Sequence, residues 1–484
     1  MTQEQVLDPS WGDPRALSAL LCSSASAVML LKWLGHRQVQ QKMHEARRSW
    51  DLALERMEKA TRRFKQENPG TQTTHILSLT MMELVEKLKE GSLSPESILY
   101  SYMDKALEVN QEVNCVTDFI HDCEDQLQKL KKQKEKGLLY GIPISIKDHI
   151  NCKGHISSGG MVKFLGQVKE EDSVINRVLK HQGAIPFVKT DIPQTMINYD
   201  CSNLIFGQTL NPLNHQKSPR GSSGGEAALI AGGGSILGVG SDVAGSIRLP
   251  SSFCGLCGLK HTGNRIRYIP ASVLFFHPVG KLQGVPKSAS NFAIVSMVSS
   301  RLKLAPNLPS CQLGLKALLM TQDDFYLLAQ QRLIQFLIAL AKKLSAKNLW
   351  DQHGAVAVYH TEFIAKWRKL RLDVILCPAL GPAFNHSYAG KLFAATSYTN
   401  LYNVLNFPAG VVLVSTVTRA DKEELKHYQG HYRDPWDKRL KEAVEGAVGL
   451  PVAVQCVALP WQEELCLRFM KEVETLAHNT KRNV

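Results

Sequence analysis

Short apolar runs separated by glycine-rich turns begin near residue 138 and recur to the end of the chain. They alternate with segments of helical pattern, which is typical of an α/β domain around a buried sheet. We therefore predict one large domain over residues 80–484, with a large mixed β-sheet core covered by helices. The predicted strands lie at 139–146, 184–188, 236–240, 374–376, 410–417 and 452–454.

The segment before this domain has a different pattern. Residues 36–66 lack Gly and Pro and mix both charge signs, which predicts a surface helix within a basic segment at 36–79. Two further helices are predicted over 80–111. Thr80 and Glu83 have the spacing of a capping box at the first helix. Ser94 is the expected cap of the second helix, with Pro95 in its first turn.

An uncharged run at residues 16–31 lies near the N-terminus and is extended by Trp33 and Leu34. Its length and its serines also suit a buried helix. Acidic residues precede the run and basic residues follow it, a charge order that keeps the following chain in the cytosol. We predict a single-pass transmembrane anchor at 1–35, on an endomembrane such as the endoplasmic reticulum.

Charge distribution and cysteine content limit the classes of partner and cofactor that the chain is expected to bind. Much of the net charge of +13 lies before residue 70, and no basic face is interleaved with aromatics. This argues against nucleic acid as a partner and favours an anionic membrane surface. The eleven cysteines are scattered, most of them in apolar stretches, as expected of buried thiols. The Cys254/Cys257 pair has no second pair at zinc spacing, so we predict neither a metal nor a cofactor.

The candidate chemistry lies in residues 218–250, which contain two glycine-rich loops with one serine each, Ser222 and Ser246. The stretch fits neither a phosphate-binding P-loop nor a GxSxG nucleophile elbow. A predicted short helix and strand separate the loops. Small residues allow a substrate carbonyl to approach the backbone closely. The N–H groups predicted to form an oxyanion hole are those of Val243, Ala244, Gly245 and Ser246.

A serine nucleophile needs a base, and no histidine of this sequence stands in a recognisable triad setting. Lysine is the alternative, because Ser-Lys variants of the triad exist. Lys147 ends the apolar run at 141–146. Burial there would lower its pKa toward neutrality, whereas a lysine at a strand end is more often simply exposed.

These segments together resemble the amidase signature family, and within it the fatty acid amide hydrolases. The resemblance implies an acyl-enzyme on Ser246, a proton shuttle at Ser222 and a base at Lys147. It further implies that Met196 lines the substrate site. Expected substrates are N-acylethanolamines or primary fatty amides, with membrane lipid as a partner and a homodimer as a candidate assembly. The matching segments lie at 137–147, 200–209, 218–248, 253–260, 407–412 and 449–474, and Ser223 and Asp242 match positions that support the loops.

The chain also departs from the family pattern. Arg220 stands where the family has glycine, which predicts strain if the position needs a positive φ. Ile197 replaces an aromatic, and a block of strand–helix units is missing within 266–330. The apolar segment at 327–344 suits a core helix or a membrane-dipping cap at about 325–345. An inactive relative that binds lipid or a partner is therefore the alternative function.

Overall fold

The structure is a computed structural model. It describes residues 14–133, 135–196, 198, 200–263, 265, 295–299, 317–319, 346–392, 396–430 and 435–482. The predicted helix at 327–344, the membrane cap, Ile197 and most of the departing block at 266–330 lie outside these residues.

A ten-stranded mixed sheet forms the centre of the described fold. Its strands are β1 Val116–Phe119, β2 Pro143–Lys147, β3 Ile185–Thr190, β6 Leu237–Ser241, β7 Cys257–Lys260, β8 Val295–Ser299, β9 Ala317–Leu319, β10 Val374–Pro378, β11 Ala409–Thr416 and β12 Pro451–Ala458; β4 Ser202–Asn203 and β5 Gly207–Gln208 form a separate hairpin. The order in the sheet is β1-β3-β2-β6-β8-β7-β11-β12-β10-β9. Parallel pairing joins β2 to both β3 and β6, whereas β11 is antiparallel to β7 and β12. The predicted large mixed sheet is thus confirmed.

Helices cover the sheet. Those before β8 are α1 Pro14–Glu67, α2 Thr73–Ser78, α3 Met81–Glu90, α4 Pro95–Val113, α5 Asp122–Lys131, α6 Val174–His181, α7 Gly224–Ala231 and α8 Arg248–Cys254. Those after β9 are α9 Ala346–Lys369, α10 Tyr388–Lys391, α11 Ser397–Val404, α12 Arg419–His427, α13 Pro435–Val444 and α14 Glu463–Arg482. Short 3₁₀ turns occur at Val162–Phe164 and Gln194–Met196.

The adjacent strands β3, β2 and β6 are buried along their whole length. Every residue of β2, β3 and β6 is buried, so both faces of this part of the sheet are covered. A strand of this kind reads as a continuous apolar run, which is why the sequence revealed it. Lys147 is the last residue of β2, and it is consequently held in the interior rather than on the surface.

The predicted helix caps are confirmed. Thr80 accepts a hydrogen bond from Glu83 N, and the Glu83 side chain accepts one from Thr80 N. Ser94 Oγ accepts from Ser97 N, with Pro95 at the start of α4. These bonds satisfy N–H groups that have no partner within their own helices, and so they fix where α3 and α4 begin.

From Pro14 onward, the segments predicted as an anchor and a surface helix form one helix, α1. The second half of α1 packs on the domain, where Arg47 donates to the Leu204 and Ile205 carbonyls and Trp50 Nε1 donates to Val116 O. Within the described ranges, no helix offers a stretch long and apolar enough to cross a membrane. The transmembrane anchor at 1–35 lies partly outside the described residues and stays a prediction.

Candidate active site

Lys147 lies at the centre of a buried group of hydroxyls. Its Nζ donates to Ser222 Oγ at 2.6 Å and to Ser241 Oγ at 2.9 Å, with the Ser241 carbonyl at 3.3 Å. Ser241 ends β6, the parallel neighbour of β2, so the sheet itself sets this spacing. The structure thus brings together the predicted base and the predicted shuttle serine.

Burial lowers the pKa of Lys147 to about 7, although Asp242, Cys201 and Glu226 each act to raise it. An ammonium group that leaves water loses hydration, and the neutral amine is favoured in its place. Near neutral pH a large fraction of Lys147 is therefore an unprotonated amine next to a hydroxyl. This is the state that a general base requires.

The two serine-containing loops are joined through their backbones. Ser223 N donates to Ser246 O at 3.1 Å, and Ser223 Oγ donates to the Ser241 carbonyl at 3.2 Å. Ser222 precedes Ser223 directly, so its hydroxyl is carried by a segment anchored to the Ser246 loop. Both Ser222 and Ser246 are buried. The structure thus places the two serine-containing loops side by side.

Asp242 organises the turn that presents Ser246. Its Oδ1 accepts from Gly245 N at 2.8 Å, and its Oδ2 accepts from Ile247 N at 3.1 Å. Gly245 has a φ of +112°, a region that favours glycine. A Cβ on Gly245 would also lie 2.4 Å from Thr399 Oγ1. The turn therefore depends on both a carboxylate and a missing side chain.

A buried ion pair holds this carboxylate in place. The Arg248 guanidinium contacts Asp242 through Nη2 to Oδ1 at 2.8 Å and Nε to Oδ2 at 2.9 Å. Burial alone would raise the pKa of Asp242, but the charge and hydrogen bonds of Arg248 outweigh it and hold that pKa well below its usual range. Arg248 also donates to Gln455 Oε1 and Asn403 Oδ1, so four of its five side-chain N–H groups make hydrogen bonds.

The predicted oxyanion hole is only partly available. The Gly245 N–H already donates to Asp242, which leaves the N–H groups of Val243, Ala244 and Ser246 as candidates. Val243 and Ala244 are half-buried. Thr399 Oγ1 donates to Ala244 O at 2.8 Å, so the Ala244 carbonyl is turned toward α11. These roles stay predictions.

Met196 ends the 3₁₀ turn after β3 with a φ of 60° and is half-buried. Its backbone N–H donates to Pro193 O, which does not link it to either serine loop. Its place in the substrate site stays a prediction.

Glu226, on α7, is a second buried ionisable group beside the base. Its carboxylate accepts from Ser145 Oγ at 2.5 Å and from Thr190 Oγ1 at 2.7 Å. Burial raises its pKa to about 7, against the effect of these hydrogen bonds and of Lys147. Its charge state therefore changes over the same pH range as that of Lys147.

The sequence did not single out several of these residues. Arg248 and Glu226 lie within the motif stretch at 218–250, where their charge among small residues was the available signal. Asn403 and Gln455 are far away along the chain, and no local pattern marks them.

Arg220, which replaces a family glycine, adopts a φ of 52°, so the condition under which strain was predicted is met. Its side chain is fully buried, and the guanidinium lies 4.5 Å from the centroid of the Phe384 ring and 5.4 Å from that of Phe253. Stacking of a guanidinium on aromatic faces is favourable. The backbone is therefore strained here, while the guanidinium contacts two aromatic rings.

Comparison with known proteins agrees with this arrangement. The sequence profile of the amidase family matches residues 97–272 and 309–467. The chain belongs to the amidase family. It is 39% identical to Fatty-acid amide hydrolase 1 of Sus scrofa, over 95% of this chain and 96% of that protein. Identity to Fatty acid amide hydrolase 1 of Caenorhabditis elegans is 30%, over 82% of this chain and 88% of that protein. The chain is accordingly an amidase related to fatty acid amide hydrolase.

A further similarity covers only part of the chain. Vitamin D3 hydroxylase-associated protein of Gallus gallus is 85% identical over 262 residues, which are 54% of this chain and 56% of that protein. Among solved structures, one of fatty acid amide hydrolase superposes with a TM-score of 0.72 and 21% identity, over 90% of this chain and 95% of that one. This structural likeness concerns the fold.

Proposed function

We propose that this amidase hydrolyses fatty acid amides through an acyl-enzyme on Ser246, with Ser222 as proton shuttle and Lys147 as base. The observation that supports it best is the contact of 2.6 Å between Lys147 Nζ and Ser222 Oγ, made by a lysine with a pKa of about 7. The bond from Ser223 N to Ser246 O supports the same scheme, because it ties the shuttle loop to the nucleophile loop.

In this scheme Lys147 begins as a neutral amine. It takes the proton of Ser222, which takes the proton of Ser246 as Ser246 Oγ attacks the amide carbonyl. Negative charge develops on the carbonyl oxygen, where N–H groups of the turn at 243–246 would stabilise it. The tetrahedral intermediate then collapses. Its C–N bond breaks, and the amine leaves with the proton that Lys147 returns through Ser222.

The acyl-enzyme is an ester, and water completes the reaction. Lys147 is neutral again after the amine has left, so the same proton path activates the water. Attack on the ester carbonyl releases the fatty acid and restores the Ser246 hydroxyl. One amide and one water thus give one acid and one amine, and the enzyme returns to its starting protonation state.

The substrate class is proposed from the similarity to two fatty acid amide hydrolases over most of this chain. N-acylethanolamines and primary fatty amides are the candidates.

We further propose that the enzyme works at a cytosol-facing membrane surface, with membrane lipid as its partner. The exposed apolar side chains on the first half of α1 support this, because such side chains can enter the lipid headgroup region; they include Leu21, Met29, Leu30, Leu31 and Trp33. The homodimer stays a prediction.

Labelling with a fluorophosphonate probe tests the nucleophile. We expect wild-type protein to be labelled and Ser246→Ala to lose the label. Ser415→Ala removes an exposed serine at the end of β11 and is the matched control, which should label normally. Labelling of Ser246→Ala at the wild-type rate would overturn the mechanism. Well-folded wild-type protein that takes no label would instead support the inactive relative suggested by Arg220.

Two measurements test the substrate and the membrane surface. Values of kcat/KM for a long-chain fatty amide and for acetamide should differ strongly in favour of the long chain. Equal values would contradict the lipid substrate.

Co-sedimentation with anionic vesicles should weaken in Leu30→Glu, which puts a charge on the exposed face of α1. Unchanged binding by that variant would argue against membrane contact through this helix.

A further inference from the structure

Two histidines and two carboxylates meet beside the edge strand β1. Asp118 lies on β1, and His121 and Asp122 stand where the chain enters α5. His155 comes from the loop after β2. One ligand atom from each of His121, Asp122 and His155 can be chosen so that all lie within 4.8 Å of one another. None of these residues belongs to the proposed catalytic set.

His155 is the residue that points to a ligand. Its side chain is only 3% exposed, and its Nδ1 lies 2.7 Å from Asp118 Oδ2. The carboxylate assigns the proton to Nδ1, which leaves a lone pair on Nε2. Nε2 is buried and makes no hydrogen bond to any residue in the described ranges. A buried acceptor without a partner is costly, and a bound cation would satisfy it.

The other two residues have the spacing that a tetrahedral ion needs. Ligand atoms held at about 2.0–2.1 Å from Zn²⁺ lie roughly 3.3 Å apart. His121 Nε2 is 3.4 Å from Asp122 Oδ1. The rings of His121 and His155 have centroids 5.0 Å apart. The ligand-atom separations from His155 to His121 and to Asp122 are at most 4.8 Å, and the exposed His121 side chain is free to rotate toward an ion.

We propose that His121, Asp122 and His155 bind a Zn²⁺ ion, with Asp118 orienting the His155 ring. Two imidazoles and a carboxylate suit zinc, and a water would take the fourth position. A carboxylate behind a metal-bound histidine is the usual support for such a ligand. The charges of Asp118 and Asp122 would offset that of the ion.

The ion would join the start of α5 to the loop after β2. That loop is already paired at its base, since Gly154 N donates to Lys169 O and Lys169 N donates to His155 O, each at 2.9 Å. His155 is therefore held in position before any ion binds. Further along the same loop, Gly159 O accepts from Thr195 N, next to Met196. The bound ion would thus stabilise a loop that extends to the residues next to Met196, which is predicted to line the substrate site.

Titration calorimetry of Zn²⁺ into the full-length chain tests the proposal. Wild type should bind one equivalent of Zn²⁺. The affinity for that ion should fall by at least tenfold in His121→Ala and in Asp122→Asn. Asp118→Asn should weaken it by about 10–100-fold, as loss of a supporting carboxylate does elsewhere. His427→Ala, at the exposed end of α12, is the matched control and should bind as wild type does.

Two further measurements test whether Zn²⁺ binds at His121 itself. Zn²⁺ should raise the Tm of wild type more than that of His121→Ala, and Co²⁺ should give the absorption bands of a tetrahedral site only when His121 is present. His121 is exposed, so His121→Ala should fold as wild type does, and its circular dichroism spectrum checks this. Zinc affinity equal in wild type and His121→Ala, or no stoichiometric binding by wild type, would overturn the site.

Discussion

The guanidinium of Arg220 lies over the Phe384 ring, 4.5 Å from its centroid, while the Arg220 backbone has a φ of 52°. The first relationship stabilises the fold and the second destabilises it. A non-glycine residue in the left-handed region costs about 1–2 kcal/mol, and a buried cation–π contact returns about 2 kcal/mol. The two effects are of similar size.

Arg220→Gly and Arg220→Ala both remove the buried stacking contact, but only Arg220→Gly also removes the backbone strain. Arg220→Ala keeps the strain and loses the stacking, so it should be about 1–2 kcal/mol less stable than Arg220→Gly. Urea denaturation of the three proteins provides the measurement. Equal stability of the Ala and Gly variants would show that the positive φ carries no strain.

The rate of acylation should rise with pH through a midpoint of about 7, because Lys147 has that pKa and must be neutral to act. Well below the midpoint the rate should fall about tenfold per pH unit, as the neutral fraction does. The rate of fluorophosphonate labelling between pH 5 and 9 measures this. A rate that rose as the pH fell would rule out Lys147 as the base.

Glu226→Gln serves as the control for that profile. The Glu226 carboxylate raises the pKa of Lys147, so its removal should move the midpoint to lower pH. Labelling near neutral pH would then increase slightly, provided that the variant keeps its fold. An unchanged midpoint would show that Glu226 is already uncharged over this range.

Asp242→Asn should cost about 3–5 kcal/mol of stability, because it leaves the buried Arg248 charge without its counter-ion. Labelling of Ser246 should fall with it, since Asp242 also holds the Gly245 and Ile247 N–H groups. Thermal denaturation and probe labelling report the two effects. Asp51→Asn, an exposed change on α1, is the control and should leave both unaffected.

Gly225→Ala should destabilise the chain. A Cβ on Gly225 would lie 2.4 Å from both N and O of Asp191, and backbone atoms cannot move aside cheaply. Overpacking of this kind costs about 1–3 kcal/mol. Gly354→Ala on α9 is the matched control: nothing lies within 4 Å of its added Cβ, and it should stabilise by about 0.5–1 kcal/mol. Similar Tm shifts in the two variants would contradict this packing.

The parts of the fold that could be predicted are those with local signals. The apolar run before Lys147 marked a strand buried on both faces, and Thr80 and Ser94 marked two helix starts. The two serine loops were visible because their glycines and serines cluster within one short stretch. The continuous course of α1 through its apolar and charged halves was not predicted, because a change of composition resembles a boundary even where the backbone does not break.

The remaining parts depend on contacts between distant segments. Arg248 meets Gln455 and Asn403, which are separated from it by 207 and 155 positions. Each of these side chains is ordinary in its own local pattern, and only the assembled sheet and α11 bring them to one point. A single sequence contains no periodicity that reveals such a meeting.

The pairing of β2 with β6 also affects when the active site forms during folding. Lys147 and Ser241 are 94 positions apart, and the intervening chain includes α6, β3 and α7. Parallel pairing over such a separation is slow, because loop-closure entropy is lost before the contacts form. We therefore expect helices to form early during refolding and Lys147 to reach its hydroxyl partners late. Recovery of probe labelling would then measure the last step of folding, well after the circular dichroism signal has returned.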